Sequence, residues 1–141
     1  MEYHFLAREE FERRVADGEF LEHAEYAGNL YGTLTAEVER IFADGASAVL
    51  EIELVGARAV ARHAPDSRSI FIAPPSTPEL ERRLRDRGTN DDADIVRRLK
   101  TADSELAARD EFDRVVINTE VATACSELVD AVIALCGAGD G

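Results

Sequence analysis

The chain has 141 residues, of which 45% are hydrophobic and 32% charged, and its formal net charge is −13 at pH 7. This length suits one domain, and the hydrophobic fraction excludes a wholly disordered chain. The acidic balance repels phosphate backbones and anionic membranes, so we expect no nucleic-acid and no membrane partner.

Strand and helix patterns alternate along the chain. In order, the predicted elements are a strand at 3–6, a helix at 8–17, strands at 20–26 and 30–33, a helix at 36–44, a buried strand at 48–54, a helix at 56–63, a strand at 69–73, helices at 76–87 and, after a polar turn at 89–92, to about 108, a strand at 115–118 and a helix at 121–135. This alternation predicts an α/β fold with a parallel sheet, and the early pair of strands predicts a small antiparallel appendage.

Targeting signals and metal motifs are absent from the printed sequence. No apolar run reaches the ~20 residues of a membrane span, and residues 1–10 lack the pattern of a signal peptide, so we expect a cytoplasmic protein. The two cysteines lack metal-ligand spacing and the three histidines are scattered. We therefore expect reduced thiols, structural histidines and no metal site.

Five segments occur here in the order in which a known family has them. They are FLEHAEYAGNLYGT (20–33), LEIELVGARAV (50–60), SIFIAPPS (69–76), ERRLRDRGTNDDADIVRRL (81–99) and VVIN (115–118). In turn they resemble the GMP-binding segment, the second core strand and turn, the next strand, the arginine-bearing lid and the last strand of guanylate kinases. The resemblance implies a GMP-binding subdomain at 1–34, a first core part at 35–80, a lid region at 81–98, and a second core part with the C-terminal helix at 99–141.

A phosphate-binding loop is missing from these residues. No Walker A pattern occurs, and the single lysine, Lys100, is preceded by Leu99 instead of the glycine that this pattern has before its lysine. In the family that loop and the first, central strand precede the part matched here. The resemblance thus implies a truncated P-loop kinase-like fold whose parallel core sheet lacks its central strand, between 48–54 and 69–73. Because unpaired strand edges recruit other chains, we expect a homodimer, with direct closure of the sheet as the alternative.

A GMP site is implied by four residues. Glu22 takes the place of the carboxylate that accepts the N1–H and 2-amino protons of guanine, and Thr33 takes that of a hydroxyl touching the base. Tyr3 and Tyr31 match two tyrosines that reach the GMP phosphate. Without the resemblance, Glu22 would be interpreted as a solvent-facing strand residue and the tyrosines as packing residues.

Two further carboxylates alternate with apolar residues in the predicted strand 48–54. Glu51 and Glu53 should project from one face near its carboxyl end, where open α/β sheets bind ligands. The family usually has D-x-D there, then a polar residue and glycine, whereas this chain has E-x-E and Val55 before Gly56. The pair is therefore either part of the GMP site or salt-bridged to nearby arginines.

Arginines and one asparagine complete the implied site. Arg83 and Arg87 lie four residues apart on one helix, and Arg98 follows the turn at 88–92. The resemblance implies that these three act on the phosphates in catalysis, and that Asn118 contacts the adenine of the cofactor. Read alone, the arginines would form a solvated charged face. The family uses ATP and Mg²⁺, but without the loop we expect no retained cofactor.

The family reaction is ATP + GMP to ADP + GDP. For this polypeptide alone we predict weak GMP binding and negligible turnover. Two other functions remain open, a non-catalytic guanylate-kinase-like binding module and a subunit complemented by a second chain that supplies the loop. A start at an internal methionine and a true short form both remain open as well.

Overall fold

The computed structural model describes residues 4–26 and 28–137. They divide into two compact units, the first unit ending at Ser67 and the second unit beginning at Arg68. Within the described residues, no helix has the length and apolar character needed to cross a bilayer. The finer division into a GMP-binding subdomain, two core parts and a lid stays a prediction.

The first unit combines three helices with a hairpin. Its elements are α1 (Arg8–Ala16), β1 (Phe20–Tyr26), β2 (Asn29–Leu34), α2 (Thr35–Ala43) and α3 (Leu54–His63). β1 and β2 pair antiparallel, as predicted, with Glu22 opposite Thr33 and Ala24 opposite Tyr31. This register places the two sequence-predicted site residues Glu22 and Thr33 side by side.

Close packing of aromatic rings attaches α1 to the hairpin. The rings of Phe11 and Phe20 stack with centroids 4.4 Å apart. On β2, a Cβ at Gly32 would lie 2.7 Å from Cδ1 of Phe20 and 2.8 Å from the carbonyl oxygen of Glu22. Because Gly32 has no side chain, the Phe20 ring can pack over β2 at this position, next to the backbone of Glu22.

The core of the first unit is small, and the segment before α3 covers it without being a strand. Leu21, Val38 and Val60 form the buried cluster, and Leu50 and Ile52 pack against it. The predicted strand at 48–54 is wrong, because residues 46–53 have no regular secondary structure and α3 already begins at Leu54. A strand requires a neighbour for its backbone hydrogen bonds, and no described strand pairs with this segment.

The second unit contains a parallel strand pair and three α-helices. Its elements are β3 (Ile70–Ala73), α4 (Thr77–Asp86), α5 (Asp92–Ala107), a 3₁₀ turn (Arg109–Glu111), β4 (Arg114–Ile117) and α6 (Val121–Gly137). β3 and β4 run parallel, with Ile70 opposite Arg114 and Ala73 opposite Ile117. Ala73 and Val116 are the most buried residues of the pair. The parallel direction of these two strands agrees with the predicted parallel sheet, although the sequence did not indicate which strands would pair.

Local signals set the ends of α4 and α5. Ser76 caps α4 by accepting a hydrogen bond from the Glu79 N–H at 3.2 Å, and Asp91 caps α5 by accepting one from the Asp94 N–H at 2.8 Å. Gly88, between the helices, has φ +63°, a value that favours glycine. Ser76 and Gly88 explain why the sequence located α4 to within a residue at each end.

Two other sequence predictions differ from the structure or lie outside it. Residues 4–6, predicted as part of a strand, have no regular secondary structure, and Tyr3 lies outside the described residues. The chain is a mixed α/β protein with two small sheets of two strands each in its described part. The wider core sheet with a missing central strand stays a prediction.

Candidate functional site

The strongest site feature is a buried carboxylate held by a hydroxyl. Glu22 on β1 is only 7% exposed, and the Oγ1 of Thr33 on β2 donates a hydrogen bond to its Oε1 at 2.6 Å. Such a short contact is typical of a hydroxyl that donates to an ionised carboxylate. The hairpin register produces this pair, since Glu22 and Thr33 are cross-strand neighbours.

The second carboxylate oxygen of Glu22 lies against the first turn of α3. An ideal Cβ on Gly56 would be 3.0 Å from Oε2, so the oxygen occupies the space that a side chain at position 56 would need. N–H groups in the first turn of a helix lack intrahelical acceptors, and the positive end of the helix dipole favours a negative charge there. The carboxylate thus lies between a hydroxyl on β2 and a helix N-terminus.

This arrangement suits recognition of two adjacent N–H donors. An ionised carboxylate accepts hydrogen bonds and donates none, and its two oxygens match a pair of parallel N–H groups. Thr33 occupies one direction at Oε1 and holds the carboxylate plane. The group can accept from a ligand that presents two donors on one edge, as guanine does.

The other residues predicted for the GMP site are less tightly held. Tyr31 lies on β2 opposite Ala24 and is 48% exposed, so its ring is not a packing residue of the core. Tyr3 lies outside the described residues, and the structure therefore gives no position for it.

Glu51 and Glu53 are exposed rather than buried. Along 48–54 burial alternates residue by residue, with Leu50 and Ile52 half-buried and the two glutamates facing solvent. The predicted two-residue alternation is confirmed, but the expected strand and its buried carboxylates are wrong. Among the described residues neither glutamate forms an ion pair, so the salt-bridged alternative is wrong as well.

A cleft in the second unit brings together three other predicted site residues. It has a volume of about 210 Å³ and lies at the carboxyl ends of β3 and β4. The residues that line it are Ile72, Ala73, Pro74, Leu80, Arg83, Leu84, Arg87 and Asn118. This end of a parallel strand pair is where α/β proteins bind ligands.

Arg83 is tied to the chain that follows β4. Its Nη1 and Nη2 donate to the carbonyl oxygens of Asn118 and Thr119, both at 2.9 Å, and its Nε donates to Oε1 of Glu79 at 2.8 Å. The Arg82 and Arg83 guanidiniums together lower the pKa of Glu79 from 4.5 to about 2. All three guanidinium nitrogens of Arg83 therefore have protein partners, and the side chain braces the Asn118 turn.

The other two predicted lid arginines are differently placed. Arg87 is exposed and lines the cleft, whereas Arg98 lies on α5 and does not line it. Within the described residues neither has a polar partner, so both guanidiniums are available to an anion. The structure thus gathers Arg83, Arg87 and Asn118 but leaves Arg98 apart from them.

Within the described residues, neither a metal-binding cluster for Mg²⁺ nor a phosphate-binding loop for ATP is present. No group of three or more histidine, cysteine or acidic side chains among the described residues could hold a metal ion. The 141 residues contain no Walker A pattern. We therefore assign no step of chemistry to these groups.

Sequence reasoning missed two contacts near Glu22. One is the space at Gly56, which a glycine in the first turn of a predicted helix could have signalled. The other is His63 at the end of α3, whose Nδ1 lies 3.1 Å from the carbonyl oxygen of Leu21, next to Glu22. His63 thereby links the two elements that surround the carboxylate, which agrees with its predicted structural role.

Comparison with known proteins gives one consistent result. The family model "Guanylate kinase" matches residues 1–135. The guanylate kinase of Synechococcus elongatus is 50% identical over 130 residues, covering 92% of this chain and 71% of that protein. The guanylate kinase of Rubrobacter xylanophilus is 48% identical over 139 residues, which are 99% of this chain and 73% of that protein. The crystal structure of guanylate kinase from Anaplasma phagocytophilum superimposes on this chain with a TM-score of 0.73 and is 33% identical in sequence. The superposition covers 94% of this chain and 64% of the Anaplasma protein.

Proposed function

This chain belongs to the guanylate kinase family, and from that membership we propose that its first unit binds GMP through Glu22 while these 141 residues alone do not phosphorylate it. The observation that carries the proposal is the 2.6 Å hydrogen bond from Thr33 to the buried Glu22 carboxylate. It supports a site that is already oriented before the ligand arrives.

The proposed selectivity follows from the edge of the base. Guanine presents N1–H and the 2-amino group, two donors that the Glu22 carboxylate accepts in parallel. Adenine presents an unprotonated N1 at the same position, which would face the carboxylate with a lone pair. GMP should therefore bind and AMP should not.

The phosphate of GMP is proposed to contact the two tyrosines. Tyr31 is exposed on β2 two residues before Thr33, and its hydroxyl is a suitable donor. Tyr3 is proposed as the second donor by its place in the family motif. Glu51 and Glu53 precede α3 and are proposed to lie at the rim of the same site.

Turnover requires more than these residues supply. The family uses ATP and Mg²⁺, and phosphoryl transfer depends on positioned cations around the transferred group. Of the three proposed catalytic arginines, Arg83 already binds carbonyl oxygens, which leaves Arg87 and Arg98. Asn118 remains the proposed adenine contact. Without a phosphate-binding loop, we expect GMP binding with negligible transfer.

Titration calorimetry with GMP and AMP tests the binding proposal. Replacing Glu22 by glutamine removes a charge-assisted pair worth about 1.5–3 kcal/mol, so GMP should bind roughly 10- to 150-fold more weakly. Glu25→Gln is the matched control, because Glu25 is an exposed carboxylate on the same strand. Equal affinity for AMP and GMP, or normal GMP binding by Glu22→Gln, would refute the site.

A coupled assay tests the expected lack of turnover. With saturating ATP, Mg²⁺ and GMP, the purified 141-residue chain should give a rate indistinguishable from that without protein. A rate in the ordinary kinase range of ~1–100 s⁻¹ would show that the phosphate-binding loop is dispensable.

Self-association and location are the remaining parts of the proposal. Both strands of the β3–β4 pair have apolar side chains exposed to solvent, as does α6, among them Ile72 at 52%, Val121 at 74% and Ile133 at 64%. Covering these faces favours a homodimer or a complementing second chain, against the repulsion of a net charge of −13. Light scattering in physiological salt decides this, and a clean monomer mass would refute the homodimer.

We propose a cytoplasmic location, since GMP and ATP are cytoplasmic metabolites.

A further inference from the structure

Gly56 occupies an unusual position for a glycine. It is buried in the first turn of α3, and its φ lies outside the left-handed region, so no backbone requirement explains it. Glycine is less favourable than alanine in a helix because it loses more conformational entropy on folding. The reason for glycine here must lie in the space around it.

Two neighbours fill that space. A Cβ on residue 56 would lie 3.0 Å from Oε2 of Glu22 and 3.3 Å from Cβ of Ile52. The Ile52 atom is attached directly to the backbone and cannot rotate away. The Glu22 oxygen, at the far end of a flexible side chain, is the atom that can move most easily, while the backbone at Ile52 would have to give by a few tenths of an ångström.

Movement of that oxygen would disturb the rest of the carboxylate. Glu22 is 7% exposed, and its other oxygen accepts the 2.6 Å hydrogen bond from Thr33. Rotation or withdrawal of the group would misalign this bond along with the pair of acceptors proposed for the ligand. A single methyl group at position 56 would therefore press on Ile52 and change the direction of the Glu22 carboxylate.

We propose that Gly56 is a positioning residue that keeps the Glu22 carboxylate in its binding orientation because, having no Cβ, it leaves room for Oε2. This inference deepens the proposed GMP site and rests on it for the identity of the ligand. The orientation of the carboxylate itself does not depend on the ligand, so the two ideas are tested separately.

The ligand-free test is a double-mutant cycle of Gly56→Ala and Glu22→Ala, followed by thermal unfolding. In the Glu22→Ala background the contact with Glu22 is gone, and only the 3.3 Å contact with Ile52 opposes the better helix propensity of alanine. The melting shift caused by Gly56→Ala should therefore be about 3 °C more favourable there than in the wild-type background, where the ¹³C resonance of the Glu22 carboxyl should also shift. Gly137→Ala is the matched control, because that helical glycine has no described atom within 4 Å of an ideal Cβ.

The ligand test uses GMP itself in calorimetry. Gly56→Ala should bind GMP at least tenfold more weakly, while Gly137→Ala should bind it as the wild type does. Equal melting shifts in both backgrounds with an unmoved Glu22 resonance, or unchanged GMP affinity in Gly56→Ala, would overturn the inference. If the wild-type chain does not bind GMP but the cycle shows coupling, the positioning role stands and the proposed function fails.

Discussion

Replacing Thr33 by valine should destabilise the first unit by removing the hydroxyl that holds Glu22. Valine has nearly the shape of threonine, so the change deletes a donor without opening a cavity. The Oε1 of Glu22 would lose its 2.6 Å hydrogen bond while the side chain stays 7% exposed, which leaves water little room to replace the hydroxyl.

The size of the effect follows from these two observations. A hydrogen bond to a charged group contributes about 1.5–3 kcal/mol to stability. Because the buried acceptor cannot replace the lost bond with one to water, most of this stability should be lost in the variant. We therefore expect a loss of about 2 kcal/mol in the free energy of unfolding. For a chain of this size that corresponds to a fall of roughly 8 °C in melting temperature.

Urea unfolding with amide hydrogen exchange on β1 measures this loss and assigns it to the first unit. Thr35→Val is the matched control, because Thr35 is the first residue of α2 and its hydroxyl has no hydrogen-bond partner among the described residues. Thr33→Ser, which keeps the hydroxyl, should retain most of the stability. If Thr33→Val unfolds like Thr35→Val, within about 0.5 kcal/mol, the hydrogen bond does not stabilise the hairpin and the argument for an oriented Glu22 fails.

Three further outcomes follow from contacts elsewhere in the chain. Arg83→Met should destabilise the second unit by about 1–3 kcal/mol in urea, because three hydrogen bonds are lost, whereas Arg82→Met, which removes only exposed ion pairs, should change little. An NMR titration should give the Glu10 carboxyl a pKa of about 2, lowered from 4.5 chiefly by the hydrogen bond from Arg13. The stability that this carboxylate contributes is therefore complete above pH 4.5 and is lost as the pH falls toward 2. A Glu10 pKa that is still about 2 in Arg13→Gln would contradict this cause. Asp91→Ala should cost about 1 kcal/mol by removing the α5 cap, and an unchanged urea midpoint would show that the cap is dispensable.

The sequence was sufficient where the signals are local. The order of its motifs identified the family, and the hairpin at 20–33 was predicted from alternation around a turn. Ser76 and Gly88 located the ends of α4, because a cap and a left-handed glycine act on residues within one helical turn. Family motifs also selected Glu22 and Thr33, although neither residue would have stood out alone.

Tertiary structure alone decided the features that depend on residues far apart in the chain. The apolar alternation at 48–54 is real, but a strand needs a partner's backbone and none of the described strands provides it. Arg83 was expected to act on phosphates, yet it binds two carbonyl oxygens 35 and 36 residues away. Glu22 is buried, and its carboxylate occupies the place of a side chain at Gly56, only because α3 packs against β1. Pairing, burial and free space belong to the packed chain, so no local pattern could have shown them.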